Sequence, residues 1–436
     1  MTPTAADPGA RHDTEYIPEN WSSTQRIAFR LAFCYLSLYN VGNFLDFIPG
    51  ASFASDAVLR FWRAVIPWAA TNLLSRDLKV LGSADTGFTL ARICFVLTLS
   101  TIATLLWTLL DAKKRDYRQL HIWLRVFVRY TLAFSLFGYG IAKIVPQQFE
   151  FPGLQAVIRP LGDLPPMGLL WNFMGYSRVY QVFAGSIEVI ASLLLLSRRT
   201  ACLGALFATV GMANVVALDL GYDVTVKFIA LNLLAMAVFL LIPDLARLAS
   251  LFVLNRPVSP ADLALPLRWQ WMRLGRVAVK VLLIGYVLFS ATKGAVNFAA
   301  QHGEHAPKPP LYGLYEVEEF VRNGEIIAPT TTDAIRWRKV VFDADRPSAS
   351  SMFIEFMDES SQSFDTNYDP KTSRVTLSTP NDQVRPKDVL VYSQTDTDHL
   401  ILQGDVRQEP LVIKLRRVDV SRYPLLRREF HWVRFW

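Results

Sequence analysis

The chain has 436 residues, 52% of them hydrophobic and 19% charged, with a formal net charge of +7. A soluble domain carries about 25% charged residues; here long apolar runs fill the chain to about residue 300 and polarity rises sharply after it, which excludes a single soluble globular domain. No basic patch interleaves with aromatics outside the apolar runs, so the positive balance points to Lys and Arg anchoring membrane spans and not to nucleic acid. The cysteines Cys34, Cys94 and Cys202 sit in apolar runs without a C-x-x-C spacing, which argues for small buried hydrophobes and against a dithiol redox motif.

In chain order, residues 1–25 read as a disordered tail. Asp7, Asp13 and Glu15 and the lack of an apolar core exclude a secretory signal there, so the first span is expected to serve as an uncleaved insertion signal. A span needs ~20 mostly apolar residues. Runs of that kind lie at 26–48, 88–111, 121–145, 177–197, 200–219, 224–243 and 275–299. The expected fold class is therefore an all-α polytopic membrane bundle of about seven spans, at 26–299, followed by a small antiparallel β barrel or sandwich.

Two stretches between spans differ. Residues 53–74 hold Arg60, Arg63, Trp62, Trp68 and a mid-run Pro67, a pattern for an amphipathic helix in the membrane interface. Residues 149–173 are broken by Pro152, Pro160, Pro165 and Pro166 and read as a long loop lying on the membrane surface or dipping into the bundle.

Residues 300–325 read as a linker. His302, Glu304 and His305 offer metal-ligand types, but Gly303 and the prolines at 307, 309 and 310 deny them a rigid helix, which favours a solvated juxtamembrane segment. From 326 to 436 short alternating runs at 338–342, 351–356, 374–377, 389–392, 399–402 and 411–415 are separated by turn residues, the signature of an antiparallel meander, similar in pattern to a lipocalin-like barrel. The aromatic end, 430–436, suits a closing edge strand or an interfacial belt.

Alternating spans put Arg26 and Arg30, then Lys113, Lys114, Arg115 and Arg118, then Arg198 and Arg199, then Arg247, Arg256, Arg268, Arg273 and Arg276 on one side, with Arg60, Arg63, Arg76 and Lys79 dissenting. The expected placement is the cell (inner) membrane, with a cytoplasmic N-terminus and an extracytoplasmic β domain.

An ionisable side chain within a span costs at least ~2.5–3.5 kcal/mol, so it is expected to face the bundle and be paired. Lys143 ends the third span after Gly138 and Gly140, either snorkelling or held in a partly dry pocket as a base or an anion-binding cation. Glu188 lies halfway down the fourth span, paired with an arginine such as Arg125 or Arg129, or serving as a proton relay or headgroup ligand. Asp223 and Lys227, four apart, suit an ion pair near Asp219. Asn214 and Asn232 suit interhelical hydrogen bonds, and Tyr139, Tyr176, Tyr180 and Trp171 suit a vestibule or an aromatic belt. Lys143 and Glu188 are the catalytic candidates. Tyr139, Arg129, Asn214 and Lys227 are the ligand-binding candidates.

A glycine-rich third span ending in Ala142-Lys143, a broken loop, a span with Gly185-x-x-Glu188 running into Leu193–Leu196, then Arg198-Arg-Thr200 and a small-residue helix from Gly204 to Met212 resemble the DoxX-like membrane family over about residues 120–245. The resemblance implies a membrane subunit linked in some members to sulfur-compound oxidation with quinone as acceptor, as in thiosulfate:quinone oxidoreductase. The same helices are similar, more weakly, to the transmembrane domain of vitamin K-dependent γ-carboxylase, which implies Lys143 as a base. Three functional readings stay open: a quinone- or lipid-linked redox protein with the β domain as lid or partner site, a non-catalytic scaffold or assembly factor, and a lysine-base carboxylase-like or lipid-modifying enzyme. The partners implied are membrane lipid or quinone and a membrane or periplasmic protein. No haem, iron–sulfur or dinucleotide motif is present, so a quinone is the cofactor the readings allow.

Overall fold

The computed structural model describes residues 21–74, 86–111, 116–258, 270–302, 307–346, 349–379 and 388–427. The expected N-terminal tail up to residue 20, Glu304 and His305, and the aromatic end at 430–436 lie outside the described residues. The chain divides into two compact units, Met1–Thr131 and Leu132–Trp436.

The first unit contains α1 (Ser23–Asp46), α2 (Ser52–Leu74), α3 (Gly87–Leu110) and the start of α4 (Arg118–Ile144). Helix α1 begins with a capping box, in which the Ser22 hydroxyl accepts from the Gln25 amide and the Gln25 side chain accepts from the Ser22 amide, satisfying two otherwise unpaired donors. Tyr39, Trp62, Ile66, Phe88 and Val96 form the shared core of its three complete helices, and the Arg92 guanidinium lies over the Tyr39 and Trp62 rings at 5.3 and 5.7 Å. Arg30, read from sequence as a span-flanking charge, is instead buried. Its guanidinium donates to the Tyr117 hydroxyl, to Thr108 Oγ1 at 2.7 Å and to the Asp111 carbonyl at 3.0 Å.

Among the described residues, six helical stretches are long and apolar enough to cross a membrane, which makes the chain a multi-pass membrane protein. Two are α3 and α4. The others are α6 (Arg178–Leu196), α7 (Ala201–Gly221), the run Lys227–Phe252, which joins α8 (Lys227–Leu241) to α9 (Leu245–Phe252), and Val277–Gln301 within α10 (Gln270–His302). The remaining expected span, 26–48, is α1. It is helical over 24 residues but is not among the six, since Arg26, Arg30, Asn40, Asn43 and Asp46 dilute its apolar content. The 53–74 stretch is the helix α2, with Pro67 inside it, and it too is not among the six.

In the second unit α6, α7 and α8 pack as consecutive neighbours. The contacts are close because small residues face each other: a Cβ on Gly204 would stand 2.7 Å from the Leu195 amide nitrogen, so only glycine admits this approach of α7 to α6. The broken 149–173 segment folds as short 3-10 turns at Leu154–Val157 and Leu161–Asp163 followed by α5 (Pro166–Tyr176), with Pro166 at the first turn, where its missing amide hydrogen costs nothing.

The C-terminal region is a closed antiparallel barrel. Its strands are β1 (Gly313–Arg322), β2 (Glu325–Ile326), β3 (Trp337–Arg346), β4 (Ala349–Phe356), β5 (Ser361–Asp369), β6 (Arg374–Ser378), β7 (Asp388–Gln394), β8 (His399–Val406) and β9 (Glu409–Arg417). From β3 to β9 each strand pairs with the next, β3 pairs with β1, and β1 pairs with β9, which closes eight strands into a cylinder; β2 forms a two-residue hairpin with β1. The barrel starts at Gly313, inside the stretch expected to be linker. In β1 the register shifts between Val317 and Glu319, and Glu316, Glu318 and Glu319 interrupt the period-two pattern by which a strand is read. Tyr315, Phe320, Val340, Phe342, Met352, Ile354, Leu390, Leu402 and Ile413 belong to one continuous core inside the cylinder. An eight-stranded barrel is just wide enough for side chains to fill, and these fill it.

Candidate functional site: a cavity beside a buried lysine–glutamate pair

The site starts from a backbone crossing. Where α4 meets α6, a Cβ on Gly140 would lie 2.8 Å from the Gly185 carbonyl oxygen, and one on Gly185 would lie 2.6 Å from the Gly140 carbonyl oxygen. Two glycines therefore let the helices touch main chain to main chain. Three residues further along each helix stand Lys143 and Glu188, so the crossing carries both long side chains to one place. Lys143 Nζ lies 2.8 Å from Oε1 and 2.8 Å from Oε2 of Glu188. The residues are 7% and 5% exposed, so both are largely withdrawn from water. Charges removed from water must be compensated, and a two-pronged bond between opposite charges does so. The arginine partner expected for Glu188 is replaced by Lys143. Arg129 lies in the other unit, with its guanidinium over the Tyr130 ring at 5.0 Å.

Lys143 and Glu188 line a cavity of about 320 Å³. Tyr139 of α4, Tyr180 of α6 and Asn214 of α7 line it too, as expected for a vestibule, and so does Asp219. The segment after α4 supplies one further part of the wall, with Gln148, Phe149, Leu170, Trp171 and Met174, and the start of α8 another, with Ile229, Ala230 and Leu233. The Phe149 and Trp171 rings meet edge to face at 5.0 Å. Phe149, Leu170, Met174 and Val224 form a buried cluster behind that wall. The segment is pressed close to α5: a Cβ on Gly175 would collide with the Glu150 carbonyl oxygen. Gln148 Oε1 is buried and has no hydrogen-bond partner among the described residues, which leaves an amide group available to a ligand.

The other candidates fall elsewhere. Lys227 donates to Asp223 Oδ1 at 2.7 Å and to the Val224 carbonyl at 2.8 Å, so it serves the start of α8 and is not a cavity residue. The Tyr176 hydroxyl donates to the Arg427 carbonyl. The Asn232 amide donates to Met236 Sδ at 3.5 Å within α8. Among the described residues no three His, Cys, Asp or Glu side chains converge as a metal site. Gln148 and Phe149 are the cavity residues that sequence reasoning passed over. A polar residue next to an aromatic directly after an apolar span was the available signal.

A pocket of this kind has apolar and aromatic walls that suit a ring or a hydrocarbon chain. At one end, an ammonium, a carboxylate and an amide offer donors and acceptors to a polar head.

No family model and no solved structure matches the chain. Over 126 residues, 28% of its length, the chain is 35% identical to the uncharacterized protein YwoB of Bacillus subtilis (strain 168), and the match covers 79% of that protein.

Proposed function

The chain belongs to the family of Bacillus subtilis YwoB, and we propose that it works there as a membrane subunit that binds an isoprenoid quinone in the cavity and exchanges electrons with it through a partner protein. The observation that carries this reading is the buried Lys143–Glu188 pair in a pocket whose other walls are mostly apolar and aromatic, with Gln148, Asn214 and Asp219 as its further polar residues. A quinone ring is flat and apolar, with oxygens that accept hydrogen bonds, and its reduction consumes two electrons and two protons. The lysine ammonium is a donor to a quinone oxygen and can pass on one proton; the second proton, like the electrons, has to come from outside the pair. Electrons have to arrive from outside, since the chain shows no haem, iron–sulfur or dinucleotide motif. The resemblance of residues 120–245 to the DoxX-like family agrees with this reading. The two hydrogen bonds from Lys143 to Glu188 engage the nitrogen that a carboxylase-like base would need free.

The membrane placement belongs to the same proposal. Helix α1 packs along α3 and its 24 residues reach about 36 Å at 1.5 Å each, enough to cross beside it. Counting α1 as the seventh span puts the N-terminus and the barrel on opposite sides, and the Lys and Arg pattern of the loops supports a cytoplasmic N-terminus with the barrel outside.

The test is a fluorescence titration of the detergent-purified chain with ubiquinone-1 and a two-isoprene menaquinone. Because Trp171 lines the cavity, one of the quinones is expected to quench emission saturably, at one per chain, and the Trp171→Phe variant is expected to lose that component. Quenching by neither quinone, or quenching unchanged in Trp171→Phe, overturns the reading.

A further inference from the structure

The barrel carries a continuous core of packed side chains in its interior. Its outer surface, however, is not uniformly polar. On β1, β3 and β4 the residues between the inward-facing ones, Leu314, Val341 and Phe353, are buried as well, together with Val418. They are covered by Leu154 and Ile158, from the segment that follows α4. That segment is the one whose other residues, Phe149, Leu170, Trp171 and Met174, wall the cavity in the helical bundle. One strip of chain thus has one face in the ligand pocket and the other on the barrel.

The fastening is specific. The Leu154 amide donates to Asp343 Oδ2 of β3 at 3.1 Å, and Gln155 Nε2 donates to Ser351 Oγ of β4 at 3.3 Å. A Cβ on Gly153 would stand 2.8 Å from that same Asp343 oxygen, so glycine is what lets the strip settle onto the carboxylate. At the far end of the strip, the Tyr176 hydroxyl donates to the Arg427 carbonyl.

We propose that the barrel holds the wall of the cavity shut through this strip, with Asp343 as the positioning residue: its carboxylate fixes Leu154, and that fixation sets how fast a ligand leaves the pocket beside Lys143 and Glu188. The part that concerns a ligand rests on the cavity being a binding site; the part that concerns the wall does not. Asp343 touches no ligand and acts through the main chain of 153–155. An asparagine retains an acceptor oxygen in the same place, and an alanine retains none.

Two measurements on the full-length chain test this. The first is hydrogen–deuterium exchange of residues 149–176 in the unliganded protein. Asp343→Ala is expected to exchange on the order of tenfold faster there, the lower end of what a hydrogen bond to a charged acceptor is worth, while Asp343→Asn, whose neutral acceptor is worth about half as much, exchanges about threefold faster than the parent. The second is stopped-flow release of ubiquinone-1 followed by Trp171 emission, with the same ordering expected. Faster exchange and faster release in Asp343→Ala, partly rescued in Asp343→Asn, support the proposal. Exchange in 149–176 unchanged in Asp343→Ala overturns it, as does exchange raised equally across the whole barrel in both variants. If Asp343→Ala does not fold, Gly153→Ala, which pushes the strip off the same carboxylate, is read against the same criteria. A parent protein that binds neither quinone removes the functional reading, and the exchange experiment then decides the wall by itself.

Discussion

Replacing Lys143 with methionine is the most informative single change. Methionine keeps the length of the side chain and removes the ammonium that stands 2.8 Å from both oxygens of Glu188. Glu188 is 5% exposed, so its carboxylate is left either charged without a partner or obliged to take up a proton. Breaking one side of a buried ion pair costs about 3–5 kcal/mol. At roughly 2–4 °C per kcal/mol for a unit of this size, the apparent Tm is expected to fall by on the order of 10 °C. The double variant Lys143→Met with Glu188→Leu removes both charges and leaves apolar side chains in their place, an exchange that is often neutral or stabilising. It should therefore recover most of the loss while still lacking the polar end of the cavity. The assay is thermal unfolding in detergent of the parent, both single variants and the double variant, combined as a cycle. A coupling of about 2 kcal/mol or more is expected, within the span seen for residues in direct contact. Additive losses, with a coupling below ~0.5 kcal/mol, would refute the claim that these two residues satisfy one another.

Two further outcomes follow from the barrel. Burial pushes the Tyr368 phenol up to about 12, against about 10 in an unfolded chain. The neutral form is thus favoured in the folded state, and its contribution is full below pH 10 and lost as pH rises toward 12. The barrel should lose up to about 3 kcal/mol of stability across that window, and Tyr368→Phe should show a shallower loss when phenolate absorbance and unfolding are followed together. For the membrane placement, Thr331→Cys puts a thiol on an exposed turn of the barrel. It should react with a membrane-impermeant maleimide in intact cells, and reaction only after lysis would place the barrel in the cytoplasm.

Much of the architecture was legible because hydrocarbon imposes its own length on a sequence. The spans from 88 onward were found within a few residues as α3, α4, α6, α7, α8 and the apolar part of α10, while the apolar run from α8 continues nine residues past the expected end, from 243 to 252, through α9. The strands rich in Val, Ile and Leu were found for a related reason. Lys339-Val-Val-Phe342 and Met352-Phe-Ile354 read as continuous apolar runs because Val340, Phe342, Met352 and Ile354 face inward while Val341 and Phe353 lie under the 149–158 strip. That continuity was itself a sign of a second covering layer. Strand β5 was missed because Ser-Gln-Ser-Phe-Asp-Thr-Asn-Tyr-Asp presents polar residues outward and fills its inward positions with Phe364, Thr366 and Tyr368. At the cavity, Lys143 and Glu188 were each singled out, but not as each other's partner. Arg125 and Arg129 were sensible partners for Glu188 by charge, but which faces of two helices meet is decided by where their backbones approach. Of the two third-span glycines, Gly140 makes that approach, while Gly138 has open space around its Cβ position.

The pairing of β1 with β9 has a consequence for how this protein meets others. Among the described residues each of the eight barrel strands already has a hydrogen-bonded neighbour on both sides, so no full-length strand edge stands ready to accept a visiting strand. Recognition by strand addition, a common way for a peptide to join a sheet, is closed to it. A protein that docks on this barrel has to read side chains, such as the facing rows of Glu316, Glu319, Lys414 and Arg416 that already pair across β1 and β9. Its affinity should therefore weaken with added salt, as contacts between exposed charges do.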